Sequence, residues 1–65
     1  MKYAYVRCEV TKTRDAPCDL PSFAHCFVEA ADDDQAYELG AKQLAAAQPL
    51  MPGYWLFNDY VVKLP

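Results

Sequence analysis

The chain has 65 residues, of which 54% are hydrophobic and 14% aromatic, and its formal net charge is -3. It is too apolar for a disordered tail, and its length predicts a single α+β domain, residues 1–65, with a thin core. No apolar run approaches the roughly 20 residues that a membrane span needs, and no signal peptide is recognisable, so we expect a cytoplasmic protein that does not enter a membrane.

The first predicted strand covers Lys2 to Lys12, where apolar and larger or polar residues alternate with period two. We expect the small set to face the core: Ala4, Val6, Cys8 and Val10. The other set should face outwards: Tyr3, Tyr5, Arg7, Glu9 and Thr11. The next segment, Thr13 to Ser22, has two prolines and no apolar periodicity, which predicts a long loop.

Alternation resumes over Phe23 to Ala30, which predicts a second strand antiparallel to the first. Its core side should carry Ala24, Cys26, Val28 and Ala30. Its outer side should carry Phe23, His25, Phe27 and Glu29.

A helix is predicted from about Asp33 to Ala47, because Asp32 followed by Gln35 is typical of an N-cap with its capping-box partner. The predicted sheet-facing stripe is Ala36, Tyr37, Gly40, Leu44 and Ala47, with Leu39 at its flank. A glycine in this stripe costs roughly 1 kcal/mol of helix propensity relative to alanine. Gly40 therefore indicates a close approach of helix and sheet.

Pro49, Pro52 and Gly53 end the helix, and Tyr54 to Leu64 is again typical of strand. We favour a hairpin with Asn58-Asp59 as its turn over one long strand. The prediction is a small antiparallel sheet with one helix packed on one face, in the order ββαβ or ββαββ.

One helix can cover only one face of this sheet. The other face is predicted to expose Tyr3, Tyr5, Phe23 and Phe27, which favours a partner or a second copy of the chain as its cover. Folding of the 13–22 loop over these rings is the alternative.

No reactive constellation is recognisable. His25 and Ser22 lack catalytic partners in the sequence, and two glycines cannot build a phosphate-binding loop. The odd number of cysteines favours reduced thiols, and a metal site of cysteines with His25 is disfavoured because adjacent His25 and Cys26 point to opposite sides of a strand. We therefore expect no enzyme, no cofactor and no metal.

Acidic residues are concentrated between Asp15 and Glu38, a window without Lys or Arg. This distribution favours a basic partner surface and makes direct binding of nucleic acid unlikely. The candidate contact carboxylates are Asp15, Asp19, Glu29, Asp32, Asp33, Asp34 and Glu38.

The stretch from Phe27 to Glu38, FVEAADDDQAYE, resembles the strand-to-capped-helix junction of short phage and mobile-element proteins, including several anti-CRISPR proteins. The resemblance implies an acidic inhibitor that covers a basic DNA-binding surface of a CRISPR effector complex in the host cytoplasm by nucleic-acid mimicry. The aromatic anchors would be Tyr3, Tyr5, Phe23 and Phe27. Two other functions stay open, a homo-oligomeric accessory protein and a binder of single-stranded nucleic acid.

Overall fold

The structure, a computed structural model, describes residues 1–11 and 22–65. Its elements are β1 (Lys2–Thr11), β2 (Ser22–Glu29), α1 (Asp33–Ala47) and β3 (Tyr54–Lys63). In this part of the chain the strands form one antiparallel sheet in the order β2-β1-β3, with α1 across one side. The α+β class and the order ββαβ are confirmed, and ββαββ is wrong. The predicted loop lies outside the described residues, apart from Ser22, which begins β2.

The strand register shows which side chains share each face of the sheet. Tyr3 lies opposite Val28, and Tyr5 lies opposite Cys26. Directly paired residues of antiparallel strands project from the same face. The tyrosines therefore share the helix side with Cys26 and Val28, as predicted for β2. The prediction for β1 is wrong, because Ala4, Val6, Cys8 and Val10 lie on the side away from the helix.

The small residues of α1 explain this orientation of β1. Ala36, Gly40 and Leu44 are the buried residues of the helix. A Cβ atom at Gly40 would lie 2.7 Å from Cγ of Tyr5 and closer still to its Cβ, so the predicted close approach is confirmed. The large rings of β1 thus fill the space that small helix residues leave.

The rest of the predicted helix stripe is less buried than expected. Tyr37 and Leu39 keep 42% and 41% of their surface exposed, and Ala47 is exposed as well. The helix therefore contacts the sheet through a narrow line that consists of Ala36, Gly40 and Leu44. The hydrophobic core cluster contains Tyr3, Val28, Ala30 and Ala36.

The carboxylate of Asp59 connects the helix to β1 and β3. Asp59 of β3 accepts hydrogen bonds at Oδ2 from the hydroxyls of Tyr5 (2.7 Å) and Tyr37 (2.6 Å). The two tyrosine rings meet edge to face, with centroids 5.8 Å apart. Hydrogen bonds to a charged acceptor are stronger than neutral ones, so this contact fixes α1 over the sheet.

A buried ion pair lies beneath the carboxyl end of α1. Nε of Arg7 donates to Oε1 of Glu9 over 2.7 Å, and both side chains are less than a tenth exposed. The guanidinium also donates to the carbonyl of Gln48 at the helix C-cap over 2.5 Å. A cation at this end of a helix is stabilised by the helix dipole. These bonds offset part of the cost of burying two charges.

β3 is one continuous strand, so the predicted hairpin at Asn58-Asp59 is wrong. Neither residue has the positive φ that a two-residue hairpin turn of this kind requires. Both pair with β1 instead, Asn58 with Cys8 and Asp59 with Arg7. The irregularity in this region is a β-bulge, because Glu9 pairs with Leu56 and leaves Phe57 as an extra residue.

We predict that Gly40→Ala destabilises the fold although alanine favours helix by about 1 kcal/mol. The added Cβ would collide with Cβ and Cγ of Tyr5, atoms close to the β1 backbone that cannot swing away. Overpacking of this kind costs about 1–3 kcal/mol. Urea denaturation followed by circular dichroism measures the change, and the exposed site Ala45→Gly gives the propensity difference in the same helix. A gain of stability for Gly40→Ala would show that the layers do not meet at this position.

We predict that the protein loses stability as the pH rises above about 10. Burial and the hydrogen bond to Asp59 raise the pKa of Tyr5. The hydrogen bond to Asp59 also raises the pKa of Tyr37. In the unfolded chain these hydroxyls lose their protons near pH 10, whereas the folded chain retains them. The stabilisation is therefore complete below that pH and declines above it.

Urea midpoints measured across the alkaline range test this prediction, and Tyr5→Phe should flatten the decline because it removes one of the groups concerned. An unchanged slope in Tyr5→Phe would exclude the Tyr5–Asp59 contact as its source.

Candidate protein-binding surface

The side of the sheet away from α1 is called the open face. The central strand β1 contributes small residues to it, and the two outer strands contribute larger ones. From β1 come Ala4, Val6, Cys8 and Val10. From β2 come Phe23, His25 and Phe27, and from β3 come Trp55, Asn58, Tyr60 and Val62. Lys2 and Glu29 lie at one end of the same face.

The large residues of the open face are well exposed. The exposed fraction is 63% for Phe23, 55% for Phe27 and 58% for Trp55. Tyr60 and Val62 follow at 42% and 46%. The solvent side of an antiparallel sheet usually carries polar residues in alternation with the apolar core positions. A contiguous apolar surface in that place is typical of an interaction site.

On the open face, the small residues of β1 lie between larger residues of β2 and β3, and we call this central strip the trough. Cys8 and Val10 on the central strand are buried, and Ala4 and Val6 are half-buried. The aromatic rows of β2 and β3 rise on both sides of them. His25 and Phe27 contact each other edge to face with centroids 5.5 Å apart, which orders one of these rows. A complementary ridge of side chains would fit between the two rows.

The predicted aromatic anchors divide into two groups. Phe23 and Phe27 lie on the open face as expected. Tyr3 and Tyr5 are each only 2% exposed and face the helix, so they cannot anchor a partner. The reason is the register with β2, which places both tyrosines beside core residues.

Trp55, Tyr60 and Val62 of the open face are absent from the sequence prediction. The segment was predicted to be strand, but the favoured hairpin at Asn58-Asp59 divided it into two short strands. No continuous alternation was therefore available to assign these residues to one face of the sheet. The signal was present in the sequence, because Tyr60 and Val62 have period-two spacing. Only the bulge at Phe57 prevents this period from extending to Trp55.

The described acidic residues lie around the start of α1, and this region is called the acidic end. Glu29, Asp32, Asp33, Asp34 and Glu38 are all exposed there. Asp15 and Asp19 lie outside the described residues. Cations also occur in this region, since Lys63 and Met1 line one cleft with the three consecutive aspartates. The amino group of Met1 is 3.4 Å from the carboxylate of Glu29.

The acidic end also stabilises the fold. Oδ1 of Asp32 accepts from the backbone N–H of Gln35 (2.8 Å), and Oε1 of Gln35 accepts from the N–H of Ala31 (2.7 Å). Asp32 is therefore the predicted N-cap, and Gln35 bonds to the N–H one residue before the one that a capping box uses. Burial, and then the neighbouring Asp33 carboxylate, raises the pKa of the Tyr3 hydroxyl. Asp32 thus has a structural role in addition to its charge.

The cysteines and the histidine that were weighed for a metal site are separated. His25 projects from the open face, whereas Cys26 lies on the helix side, where its Sγ is 3.5 Å from the carbonyl of Gly40. Cys8 is buried on the open face, and Cys18 lies outside the described residues. Cys8 and Cys26 were expected to share the core side, and this expectation is wrong for Cys8, which follows the orientation of β1.

Comparisons with family models, with curated proteins and with solved structures found no match to this chain. Across residues 1–11 and 22–65, no helix has the length and apolar character needed to cross a bilayer. The open face and the acidic end therefore provide the basis for a functional proposal.

We predict that Asp32→Ala lowers the free energy of unfolding by about 1 kcal/mol, whereas Asp32→Asn retains most of it. Both changes remove the same charge, but only asparagine keeps an oxygen that can accept from the N–H of Gln35. Thermal unfolding of the two variants, with Asp34→Ala as a first-turn control, measures the difference. Equal losses in the alanine and asparagine variants would mean that charge, rather than capping, stabilises this end.

Proposed function

We propose that the chain is a non-enzymatic protein that binds another protein through the open face. The observation that carries this proposal is the pair of aromatic rows on a side of the sheet that no described helix or strand covers. Burying one such ring contributes on the order of 1.5–3 kcal/mol. Aromatic anchors of this type often supply most of the affinity at protein interfaces.

The acidic end gives the interaction its orientation. Carboxylates at the edge of an interface accelerate encounter with a basic surface and fix the direction of docking, more than they add affinity. Lys63 and the amino group of Met1 lie among these carboxylates, so the local field is weaker than the number of acids alone implies. We therefore assign affinity to the open face and selectivity to Asp33, Asp34 and Glu38.

The specific form of the proposal is an inhibitor of the anti-CRISPR type. The open face would anchor on a CRISPR effector complex, and the acidic end would cover lysines and arginines that otherwise hold nucleic-acid phosphates. Covering these lysines and arginines would weaken the binding of DNA to the effector complex, because phosphate contacts supply much of the affinity of proteins for DNA.

The open face could also stack bases of a single-stranded nucleic acid, since rows of aromatic rings are the usual platform for that function. Such platforms combine stacking with a basic groove. Of the described cations of the sheet, Arg7 is buried in its pair with Glu9 on the helix side, and Lys63 lies on the helix side as well. Lys2 lies on the open face, opposite the carboxylate residue Glu29. This arrangement favours a protein partner over nucleic acid.

Capture from cells that carry CRISPR effectors tests the proposal with a matched pair of variants. Trp55 and Leu56 are neighbours on β3, are 58% and 50% exposed, and face opposite sides of the sheet. We expect Trp55→Thr to reduce recovery of the effector complex at least tenfold and Leu56→Thr to leave it unchanged. Equal recovery with both variants would exclude the open face as the binding surface.

The same experiment includes the triple variant Asp32→Asn, Asp33→Asn, Asp34→Asn, which retains the cap. Its capture should weaken at low salt and approach the original protein at high salt, because salt screens exposed charges. Unaltered capture at every salt concentration would remove the acidic end from the mechanism. Tight, salt-sensitive binding of single-stranded DNA or RNA by the pure protein would replace the inhibitor proposal with the nucleic-acid one.

A further inference from the structure

The trough on the open face is complementary to the rows beside it. Neighbouring strands lie about 4.8 Å apart. If a second copy is rotated by 180° about an axis parallel to the strands and displaced by one strand, its β2 row lies above β1 of the first copy. Phe27, His25 and Phe23 of that row then lie level with Ala4, Val6 and Cys8. Twofold symmetry then places the first copy's β2 row in the second copy's trough. One surface thereby supplies both the ridge and the groove, as an isologous dimer requires.

We propose that the open face packs on the open face of a second copy of this chain, giving a two-sheet sandwich with both helices outside. This inference goes beyond the proposed function: the second copy occupies the same surface as the effector complex, so the reversible dimer is the state of the chain when no effector is bound. Two antiparallel sheets packed in this way enclose a core about 10 Å thick. The acidic ends stay at the outer layers, where a dimer presents two of them.

The area of the open face is sufficient for such a dimer. Aromatic side chains present about 150–250 Å² each, so the exposed fractions of the large rings amount to roughly 400 Å² per copy. With Val62 and the half-buried residues of β1, complete burial of both open faces would remove roughly 1,000 Å² from water, the lower bound for a specific interface. We therefore expect a reversible dimer rather than a permanent one.

The charges on this side of the molecule are compatible with self-association. The register places Lys2 opposite Glu29 at one end of β1 and β2, so the charges there have opposite signs. The carboxylate of Asp59 is engaged by Tyr5 and Tyr37 on the helix side. Two copies can thus meet without placing like charges against each other in the centre of the interface.

Pairing through a strand edge is less favourable than pairing through the face. β3 contains the bulge at Phe57, and bulges interrupt the ladder that a further strand would need. At the other edge of the sheet, Nε2 of Gln43 donates to the carbonyl of Phe27 over 3.5 Å, so a backbone acceptor of β2 already has a partner.

Sedimentation equilibrium of the full chain tests the proposal, with Trp55 as an internal probe because it is the only tryptophan of the sequence and lies on the open face. We expect a monomer–dimer equilibrium at micromolar to millimolar concentrations. Tryptophan emission should shift to shorter wavelength, and quenching by acrylamide should decrease, over the same concentration range.

Phe27→Thr should weaken the dimer at least tenfold, and Val62→Glu should abolish it, because it brings an unpaired carboxylate into an apolar interface. Leu56→Thr, on the other side of the sheet, should dimerise like the original chain. Circular dichroism of each variant confirms folding, and the concentration dependence of the original chain tests the proposal without any variant.

Two results would overturn the dimer, and they differ in what they mean for the proposed function. A monomer at every concentration with Trp55 open to the quencher would leave the face for a different protein, so that the proposed function stands. A monomer with Trp55 shielded would assign the face to the chain's own residues 12–21, and both proposals would fail. A dimer that Val62→Glu leaves intact would place the interface elsewhere.

Discussion

The close contact between Gly40 and Tyr5 determines the rest of the structure. The helix can approach the sheet at this point only because position 40 has no side chain. That approach places α1 on the tyrosine side of β1, and the pairing of Tyr3 with Val28 and of Tyr5 with Cys26 extends the same side across β2. The identity of the open face follows, because no helix or strand of the described residues covers the opposite alternation.

Polar contacts between α1 and the sheet add to the apolar contact between Gly40 and Tyr5. Leu44 is the one large apolar side chain that the helix buries, and glycine and alanine remove little apolar area from water, so burial alone gives a limited gain. Asp59 compensates by accepting from a tyrosine of the sheet and a tyrosine of the helix, and Arg7 joins the central strand to the carbonyl of Gln48. These bonds have defined geometry, so they specify one position of the helix where apolar packing alone would permit several.

Local patterns in the sequence predicted the elements, but they could not assign the faces of β1. The N-cap at Asp32, the alternation of β2 and the close approach at Gly40 each depend on neighbouring residues or on one residue's size. The orientation of β1 depends on complementarity between elements, in which a helix with Gly40 and Ala36 needs large rings such as Tyr5 beneath it. Average hydrophobicity favoured Val6 and Val10 for the core instead. Asn58-Asp59 was misjudged similarly, because turn propensity was weighed without the tertiary partners of Asp59.

The open face connects the stability of this chain to its interactions. A domain of this length buries only about 60% of the surface of its unfolded chain, and the described elements cover its sheet on one side only. Any partner that binds the folded chain through the open face adds stability by mass action, in proportion to the logarithm of its concentration over its dissociation constant. Because large apolar side chains are exposed on the open face, the proposed association would supply a second layer to the core. The same exposed aromatic residues would therefore contribute to binding and, through binding, to the stability of the folded chain.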